Sequence, residues 1–297
     1  MKYHNPIITG FHPDPSVCRV GNDFYLVNSS FEYFPGIPIY HSTDLTHWEQ
    51  IGHVLDRKNQ LKLVSGAPNC LGIYAPTIRY HEGIFYCIVT NVGGRSGGNF
   101  FVYTTDPYGR WSNPVKLPFA GIDPSLFFDE DGRIYYTGTD TGIYIAEITF
   151  DVVRNDTPKR NELPVSIQNV KCGEKHYIWN GSGGNNPEGP HLYRIHDMYY
   201  LMIAEGGTEY CHMVTIARSK NVYGPYEACP HNPVLSNRST CLNIKAVGHA
   251  DLVEDSQGSW WAVCLGIRPL GYPFRHNLGR ETMLAPVKWE NGWPVMG

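Results

Sequence analysis

The chain has 297 residues, a formal net charge of −4 and a hydrophobic content of 42%. Its Lys and Arg residues are scattered, which argues against nucleic acid or an anionic membrane as a partner. No stretch approaches the roughly 18 consecutive apolar residues of a membrane helix, and the N-terminal MKYHNPIITG lacks the apolar run of a secretion signal. We therefore expect a cytoplasmic protein that acts on neither nucleic acid nor membranes.

The pattern of apolar residues predicts β-strands throughout. Short runs rich in Val, Ile, Tyr, Phe and Thr recur between Gly, Asn and Asp turns, and helical periodicity is almost absent. Aromatic residues make up 13% of the chain, alongside 31 Gly and 22 Pro. Such a composition is typical of an all-β fold with many turns, and exposed rings would suit flat partners such as sugars.

One motif returns five times along the chain, each time as a strand, a tight polar turn and a second strand led by aromatics. The copies are DPSVCRVGNDFYLVNS at Asp14, APTIRYHEGIFYCIVT at Ala75, DPSLFFDEDGRIYYTGT at Asp123, GPHLYRIHDMYYLMIA at Gly189 and HADLVEDSQGSWWAVC at His249. Segments beginning at Tyr40, Tyr103 and Ala217 resemble an outer hairpin of the same unit. Five such units predict a five-bladed β-propeller over residues 1–297. A β-sandwich or a two-domain chain would not require five similar units.

The repeat also predicts where a functional site lies. In a propeller the first strand of each blade lines the central channel, so the starts of the five copies should converge near the axis. These starts are Asp14, Ala75, Asp123, Gly189 with Glu188 just before it, and His249. Any one of the acids alone would be read as a turn or cap residue. Three carboxylates at corresponding positions instead predict a catalytic cluster, since like charges are costly to gather.

Two carboxyl groups and a water are what inverting glycoside hydrolysis needs. One carboxylate must be ionised to take a proton from water, and one must be protonated to give a proton to the departing oxygen. A third can orient the acid and hold its pKa up. The cluster is therefore suited to cleaving a glycosidic bond.

Several motifs resemble those of glycoside hydrolase family 43, in its β-xylosidase and α-L-arabinofuranosidase branch. They are HPDPS, GIDPSLFFD, PEGPHLY, GGTEYCHMVTIARS, GHADLV and LGRET, in this order over nearly the whole chain. The resemblance implies that Asp14 is the general base, Asp123 the pKa modulator and Glu188 the general acid. We expect the pKa of Glu188 to be raised by its neighbours' charge and by partial burial.

The resemblance also implies sugar contacts. Arg280 would bond to sugar hydroxyls and offset the charge of the cluster, Phe31 and Tyr74 would place rings against the sugar, and Thr208 would offer a hydroxyl. Relatives usually carry Trp where this chain has Tyr74. Some family members hold a calcium or other cation on the axis through the equivalent of His249 and waters. Hydrolysis by the carboxylates requires no cofactor, but a structural calcium at His249 could be present.

Typical β-xylosidases of this branch continue into a C-terminal β-sandwich, whereas this chain stops at Gly297. Either the sequence is part of a longer protein or the enzyme has a single catalytic domain, and in the second case we expect an open pocket. The implied function is exo-acting, inverting release of terminal α-L-arabinofuranosyl or β-D-xylosyl residues from arabinoxylan-derived oligosaccharides. An endo-arabinanase and a non-catalytic sugar-binding propeller are the alternatives.

Two glycine-rich stretches are candidates for other chemistry. GRSGG at Gly94 fits the G-x-S-x-G pattern of serine hydrolases, but Ser96 precedes a strand-like run rather than the helix that such a site requires. GSGGNN at Gly181 is not a nucleotide-binding fingerprint. It is predicted instead to let the chain approach the pocket beside Glu188.

Overall fold

The computed structural model describes residues 3–61, 69–93, 97–271, 273 and 275–297. Within these ranges the secondary structure is entirely β, with 22 strands and no helix. No helix in this part of the chain is therefore long and apolar enough to cross a membrane. Ser96 of the GRSGG stretch lies outside the described residues.

The strands form five sheets, which follow one another along the chain. Blade 1 comprises β1 (Ser16–Val20), β2 (Asp23–Val27), β3 (Gly36–Ser42) and β4 (Glu49–Leu55). Blade 2 comprises β5 (Gly72–Ile73), β6 (Thr77–His81), β7 (Ile84–Val92), β8 (Gly98–Thr104) and β9 (Val115–Lys116). Blade 3 comprises β10 (Ile122–Phe128), β11 (Ile134–Thr139), β12 (Ile143–Arg154), β13 (Val165–Cys172) and β14 (His176–Trp179).

The last two sheets repeat the four-stranded plan of blade 1. Blade 4 comprises β15 (Glu188–Ile195), β16 (Met198–Glu205), β17 (Met213–Ser219) and β18 (Glu227–Ala228). Blade 5 comprises β19 (Lys245–Glu254), β20 (Trp260–Ile267), β21 (Glu281–Glu290) and β22 (Trp293–Met296). In each blade the two strands of the sequence repeat pair as an antiparallel hairpin, and the outer strands follow in chain order. The five-bladed β-propeller expected from the repeat is confirmed.

Strand β7 shows why the apolar runs are nearly continuous. Phe85, Cys87 and Val89 pack into the core shared with blade 1, whereas Ile84 and Tyr86 pack into the core shared with blade 3. Alternate side chains of a strand point to opposite faces, and both faces of this blade are covered by neighbours. The strand is consequently apolar at almost every position.

Five apolar cores of this kind lie between successive blades, one between each neighbouring pair. The core between blades 5 and 1 joins Val17 and Leu26 to Val263 and Leu284, so the ring of blades closes on itself. The N-terminal segment strengthens this closure, because Ile8 forms an isolated antiparallel bridge with Thr282 of β21. Residues from the two ends of the chain therefore lie side by side.

All eight cysteines are free thiols, and they differ widely in exposure. Cys18, Cys87, Cys229 and Cys264 are buried within the apolar cores. The exposed ones are Cys70, Cys211 and Cys241. The buried thiols are thus part of the hydrophobic packing between blades.

Candidate active site

The starts of four repeats, together with Glu188 just before the start of the remaining one, line one cavity of about 480 Å³. Every residue singled out from the sequence borders this cavity: Asp14, Phe31, Tyr74, Asp123, Glu188, Thr208, His249 and Arg280. Ala75, the start of the second repeat, also lies on its wall. Residues far apart in the chain are thereby brought together at one end of the channel.

The backbone at the repeat starts has a shared irregular shape. Asp14, Asp123, Gly189 and His249 all have left-handed φ angles, of 53°, 54°, 59° and 46°. Such angles are uncommon for residues other than glycine and are concentrated at functional sites. The strand pairing also shifts register at Asp123, Gly189 and His249, which marks a β-bulge in each of three blades.

Proline explains part of this shape. It follows the repeat start in four of the five copies, as in Asp14-Pro15 and Asp123-Pro124. Because proline has no N–H group, it cannot complete the hydrogen-bond ladder and fits where pairing is interrupted. The side chains of Asp123, Glu188 and His249, at or next to the three bulges, line the cavity.

Asp14 is buried and held by three polar neighbours. Ser29 Oγ donates a hydrogen bond to its Oδ2 at 2.6 Å, and Arg280 Nη1 donates one to its Oδ1 at 3.1 Å. His249 Nδ1 lies 3.9 Å from the same Oδ1. Burial alone would raise the pKa of Asp14, but the charges of Arg280 and His249 and the bond from Ser29 outweigh it, so that the pKa is lowered. Asp14 is thereby kept ionised.

Glu188 has the opposite electrostatic character. Burial and the negative charge of Asp14 raise its pKa to about 7, although Arg280 opposes the change. Its Oε1 is buried and has no hydrogen-bond partner among the described residues. The direction of the shift is the one expected from the sequence. Glu188 can therefore hold a proton near neutral pH.

Asp123 resembles Glu188 rather than Asp14, because its pKa is also raised. Gly189 donates its backbone N–H to Asp123 Oδ2 at 3.1 Å, which ties this carboxyl group to the residue after Glu188. Burial raises the pKa of Asp123, the charges of Glu188 and Asp14 add to the increase, and His249 and the Gly189 N–H oppose it. The protonation of Asp123 and the protonation of Glu188 therefore influence each other.

His249 packs against the backbone at Gly189. A Cβ atom at Gly189 would lie 3.0 Å from His249 Cε1, so only glycine leaves room for the ring beside Glu188. No group of three or more His, Cys, Asp or Glu within the described ranges could hold a metal ion, and calcium prefers six to eight oxygen ligands. The protein side chains around His249 therefore do not form a calcium site by themselves. A cation held there through waters remains a prediction.

The predicted sugar-contacting residues lie on the cavity walls. Phe31 and Tyr74 form an aromatic pair with ring centroids 5.4 Å apart, and the Arg280 guanidinium lies 5.6 Å from the Phe31 ring centroid. Phe31 is fixed by a backbone bridge to Ile73 of blade 2. Thr208 is exposed at the rim. The site thus combines rings on one wall with carboxylates on the floor.

A second polar layer, which the sequence reasoning did not identify, lies one step deeper along the channel. Each blade contributes one residue to it: Ser16, Arg79, Ser125, His191 and Asp251. Arg79 donates two hydrogen bonds to Asp251, at 2.7 and 3.1 Å, and Ser16 and Tyr193 donate one each at 2.6 Å. Four of the five layer residues follow a repeat start by two positions, which is the signal that could have revealed them.

Glu205 is another residue that the sequence reasoning did not identify. It is fully buried at the end of β16 and accepts hydrogen bonds from the backbone N–H groups of Ser182, at 2.9 Å, and Gly184, at 2.7 Å. These amides belong to the GSGGNN stretch that leads into Glu188. The glycine-rich stretch therefore folds around a buried carboxylate, and this contact fixes the approach of the chain to the cavity.

Comparisons with known proteins agree with this geometry. A sequence model of glycosyl hydrolases family 43 matches residues 3–294. The chain is 49% identical to the non-reducing end alpha-L-arabinofuranosidase BoGH43B of Bacteroides ovatus, over 99% of this chain and 53% of that protein. It is 48% identical to a xylosidase/arabinosidase of Butyrivibrio fibrisolvens, over 99% of this chain and 56% of that protein.

Solved structures give the same result. The Bacteroides ovatus GH43B structure matches with a TM-score of 0.86 at 48% identity, and the xylan β-1,4-xylosidase of Bacillus halodurans matches with 0.87 at 38% identity. Each match covers 99% of this chain and 56% of the other. The chain thus spans about half the length of these relatives. Over that span, the match in sequence and fold shows that the chain belongs to glycosyl hydrolases family 43.

Proposed function

We propose that the protein is an exo-acting, inverting glycoside hydrolase that removes terminal α-L-arabinofuranosyl or β-D-xylosyl residues from oligosaccharides. One observation carries this proposal: two carboxyl groups on the wall of the same cavity have pKa values shifted in opposite directions. Pairs of titratable groups with diverging pKa values are the mark of acid and base assignments in an active site. The family membership gives the class of reaction.

In the proposed reaction Asp14 acts as the general base. Its ionised carboxylate takes a proton from a water molecule as the water oxygen attacks the anomeric carbon of the terminal sugar. Arg280 and Ser29, which hold the two carboxylate oxygens, would orient the base. The attack comes from the face opposite the departing group, so the released sugar has the opposite anomeric configuration.

Glu188 acts as the general acid in this scheme. Its proton passes to the glycosidic oxygen as the bond to the anomeric carbon breaks, which lets the rest of the oligosaccharide leave as a neutral alcohol. After turnover Asp14 is protonated and Glu188 ionised, and exchange with solvent restores both. Asp123, which accepts a hydrogen bond from the Gly189 N–H, would keep Glu188 in place, and when Asp123 is ionised its charge would favour the protonated form of Glu188. No step of this scheme passes through a metal ion.

The substrate class is proposed from the relatives and from the cavity. The relatives' names include a non-reducing end arabinofuranosidase and a xylosidase/arabinosidase, and Phe31 and Tyr74 offer aromatic faces within a cavity of about 480 Å³. We propose fragments of arabinoxylan as the substrates. A non-catalytic sugar-binding propeller would have no use for carboxylates with opposed pKa shifts.

Hydrolysis of two substrates assayed side by side would test the proposal. The protein should hydrolyse at least one of the two substrates, nitrophenyl α-L-arabinofuranoside and nitrophenyl β-D-xyloside. Proton NMR of the first-formed sugar should show the anomer opposite to that of the substrate. Retention of configuration would instead make Asp14 a nucleophile. Binding without release from either substrate would favour the non-catalytic reading.

A cytoplasmic location is also proposed. Its support is the eight free thiols, because reducing compartments keep cysteines unpaired. Fractionation of the source cells followed by detection with an antibody would test this location. Recovery of the protein outside the cytoplasm would contradict it.

A further inference from the structure

An exposed aromatic ring at the cavity mouth is held unusually firmly. Phe11 lines the cavity and is 42% exposed. The residues on both sides of it are anchored by hydrogen bonds: the Gly10 N–H donates to Glu281 Oε1, and the His12 N–H donates to the Arg280 carbonyl, each at 2.9 Å. A large apolar side chain is therefore presented to solvent on a backbone that has little freedom to withdraw it.

The partner segment is itself fixed. Glu281 is fully buried and forms two hydrogen bonds with Arg268, at 2.6 and 2.9 Å. The Phe11 ring lies over Gly279, whose φ of +80° and missing side chain leave the necessary space. A Cβ atom at Gly279 would lie 2.6 Å from Phe11 Cδ2. The ring is thus seated before any ligand arrives.

Phe11 continues a row of rings that begins inside the cavity. From Tyr74 the row passes to Phe31 at 5.4 Å, to Phe11 at 5.6 Å and to Tyr33 at 6.2 Å between centroids. Tyr74 is half-buried, and from Phe31 outward the exposure increases, from 7% at Phe31 to 42% at Phe11 and 61% at Tyr33. Tyr33 lies beyond the cavity wall, so the row leads from the catalytic floor to the protein surface.

We propose that Phe11 and Tyr33 form a binding subsite for the sugar units on the leaving-group side of the cleaved bond. This inference rests on the proposed function. The terminal sugar must occupy the floor beside Asp14 and Glu188, so the next unit of the chain has to lie at the mouth. The apolar C–H face of a sugar ring packs on an aromatic face, and rigid rings bind with a small loss of conformational entropy. The ligand class is the xylose backbone of an oligosaccharide.

The test compares substrates that do and do not carry a leaving-group sugar. For each variant the ratio of two kcat/KM values is measured, one for an oligosaccharide (xylobiose, or a xylo-oligosaccharide bearing arabinose) and one for the fluoride of the same terminal sugar. Phe11→Ala and Tyr33→Ala should each lower this ratio about 3- to 10-fold, the size typical of an aromatic contact. Tyr33→Phe keeps the ring, and its ratio should equal that of the unaltered protein.

Tyr108→Ala is the matched control. Tyr108 is 56% exposed, similar to Tyr33, and its ring neighbours His41 on the outer part of the molecule. Its removal should leave the ratio as in the unaltered protein. An unchanged ratio in both Phe11→Ala and Tyr33→Ala would overturn the subsite. A lowered melting temperature with an unchanged ratio would assign the two rings to packing instead.

Failure of the proposed function would be distinguishable from failure of the subsite. If the unaltered protein hydrolyses neither substrate, xylo-oligosaccharides can be titrated into it and into the two ring variants by calorimetry. Weaker binding by the variants would then support the subsite without catalysis. Equal affinities in all three proteins would refute it.

Discussion

The two polar layers of the channel are contributed by neighbouring positions of the same blades, and their carboxyl groups have opposite properties. In the outer layer Glu188 has an oxygen without a hydrogen-bond partner among the described residues and a raised pKa. In the inner layer Asp251 accepts bonds from Arg79, Ser16 and Tyr193, and its pKa is lowered. For Asp251 the burial cost is outweighed by the Arg79 charge and by hydrogen bonds, whereas for Glu188 it is not.

The inner layer supports the fold, whereas the outer layer serves the proposed reaction. A buried carboxylate that is completely paired is stable and chemically inert, because its proton affinity is far from neutral pH. An incompletely paired carboxyl group costs stability but can exchange a proton at working pH. His191 fits the inert layer, since burial lowers its pKa to about 3 and leaves it neutral to accept a bond from Arg79. Substitutions in each layer should therefore have different consequences.

The largest effect is expected at the base. Asp14→Asn keeps the shape of the side chain but cannot take a proton from water, so kcat/KM should fall about 10²- to 10⁴-fold. Steady-state rates on nitrophenyl glycosides and on xylobiose would check this, and the loss should be similar for both. Full activity in Asp14→Asn would remove Asp14 from the proposed role.

Glu188→Gln should produce a loss that depends on the leaving group. Natural linkages need the proton, whereas nitrophenolate leaves without it, so kcat/KM should fall about 10²-fold or more on xylobiose and much less on the nitrophenyl substrate. In the unaltered enzyme kcat/KM should decline as pH rises through the raised pKa of Glu188, about 7. That alkaline limb should be missing from the variant on nitrophenyl substrates. Equal losses on the two substrates would contradict the acid assignment.

A substitution in the inner layer should lower the stability of the protein. Asp251→Asn leaves the buried Arg79 without its charged partner, and we expect the free energy of unfolding to fall by about 3–5 kcal/mol. Denaturant titration at pH 7 would measure it. Asp197→Asn is the control, because the Asp197 side chain is 99% exposed and its change should stay within about 0.5 kcal/mol. A similarly small change at Asp251 would show that the inner layer does not support the fold.

Because the pKa of Asp251 is lowered, the loss of unfolding free energy in Asp251→Asn should depend on pH. A carboxyl group whose folded pKa is depressed contributes stability above its unfolded pKa of about 3.9, and the contribution is lost as pH falls toward the folded value. The gap between the unaltered protein and Asp251→Asn should therefore be complete at neutral pH and narrow below about pH 4. A gap of constant size would contradict the linkage.

A smaller loss of stability is expected from a substitution of Glu205, which supports the stretch leading into Glu188. Glu205→Gln replaces one acceptor oxygen with an NH₂ group that faces backbone N–H donors of the 181–184 stretch, at a cost of about 1–3 kcal/mol in unfolding free energy. The same change should lower kcat more than it raises KM, because the stretch leads into Glu188. Denaturation and steady-state kinetics would measure the two quantities. Unaltered kcat would limit Glu205 to a structural role.

The smallest expected effect is a gain in stability rather than a loss. Ionising Glu188 in the folded protein costs free energy, so stability should decrease as pH rises from its unfolded pKa of about 4.3 through its raised folded value. Glu188→Gln removes this cost, and its melting temperature at pH 8 should be higher than that of the unaltered protein. The difference should vanish near pH 4. A lower melting temperature at pH 8 would mean that Glu188 is better paired than the geometry indicates.

The repeat, the number of blades and the three acids at the repeat starts could be predicted from the sequence alone. Strand periodicity and turn residues are local properties, and five similar β units arranged radially as a propeller bring their starts together. Pro124, which follows Asp123, lies where the strand pairing is interrupted by a bulge.

The pairing of the acids and the exposure of the rings could not be predicted from the sequence and are seen only in the folded chain. Asp251 meets Arg79 across 172 positions of the chain, Glu205 meets the GSGGNN stretch, and Phe11 is seated on Gly279. The burial of a side chain and the charged residues around it depend on which blades pack face to face. Because a pKa follows from those neighbours, the proton chemistry of each carboxyl group is set by the packing of the blades around it.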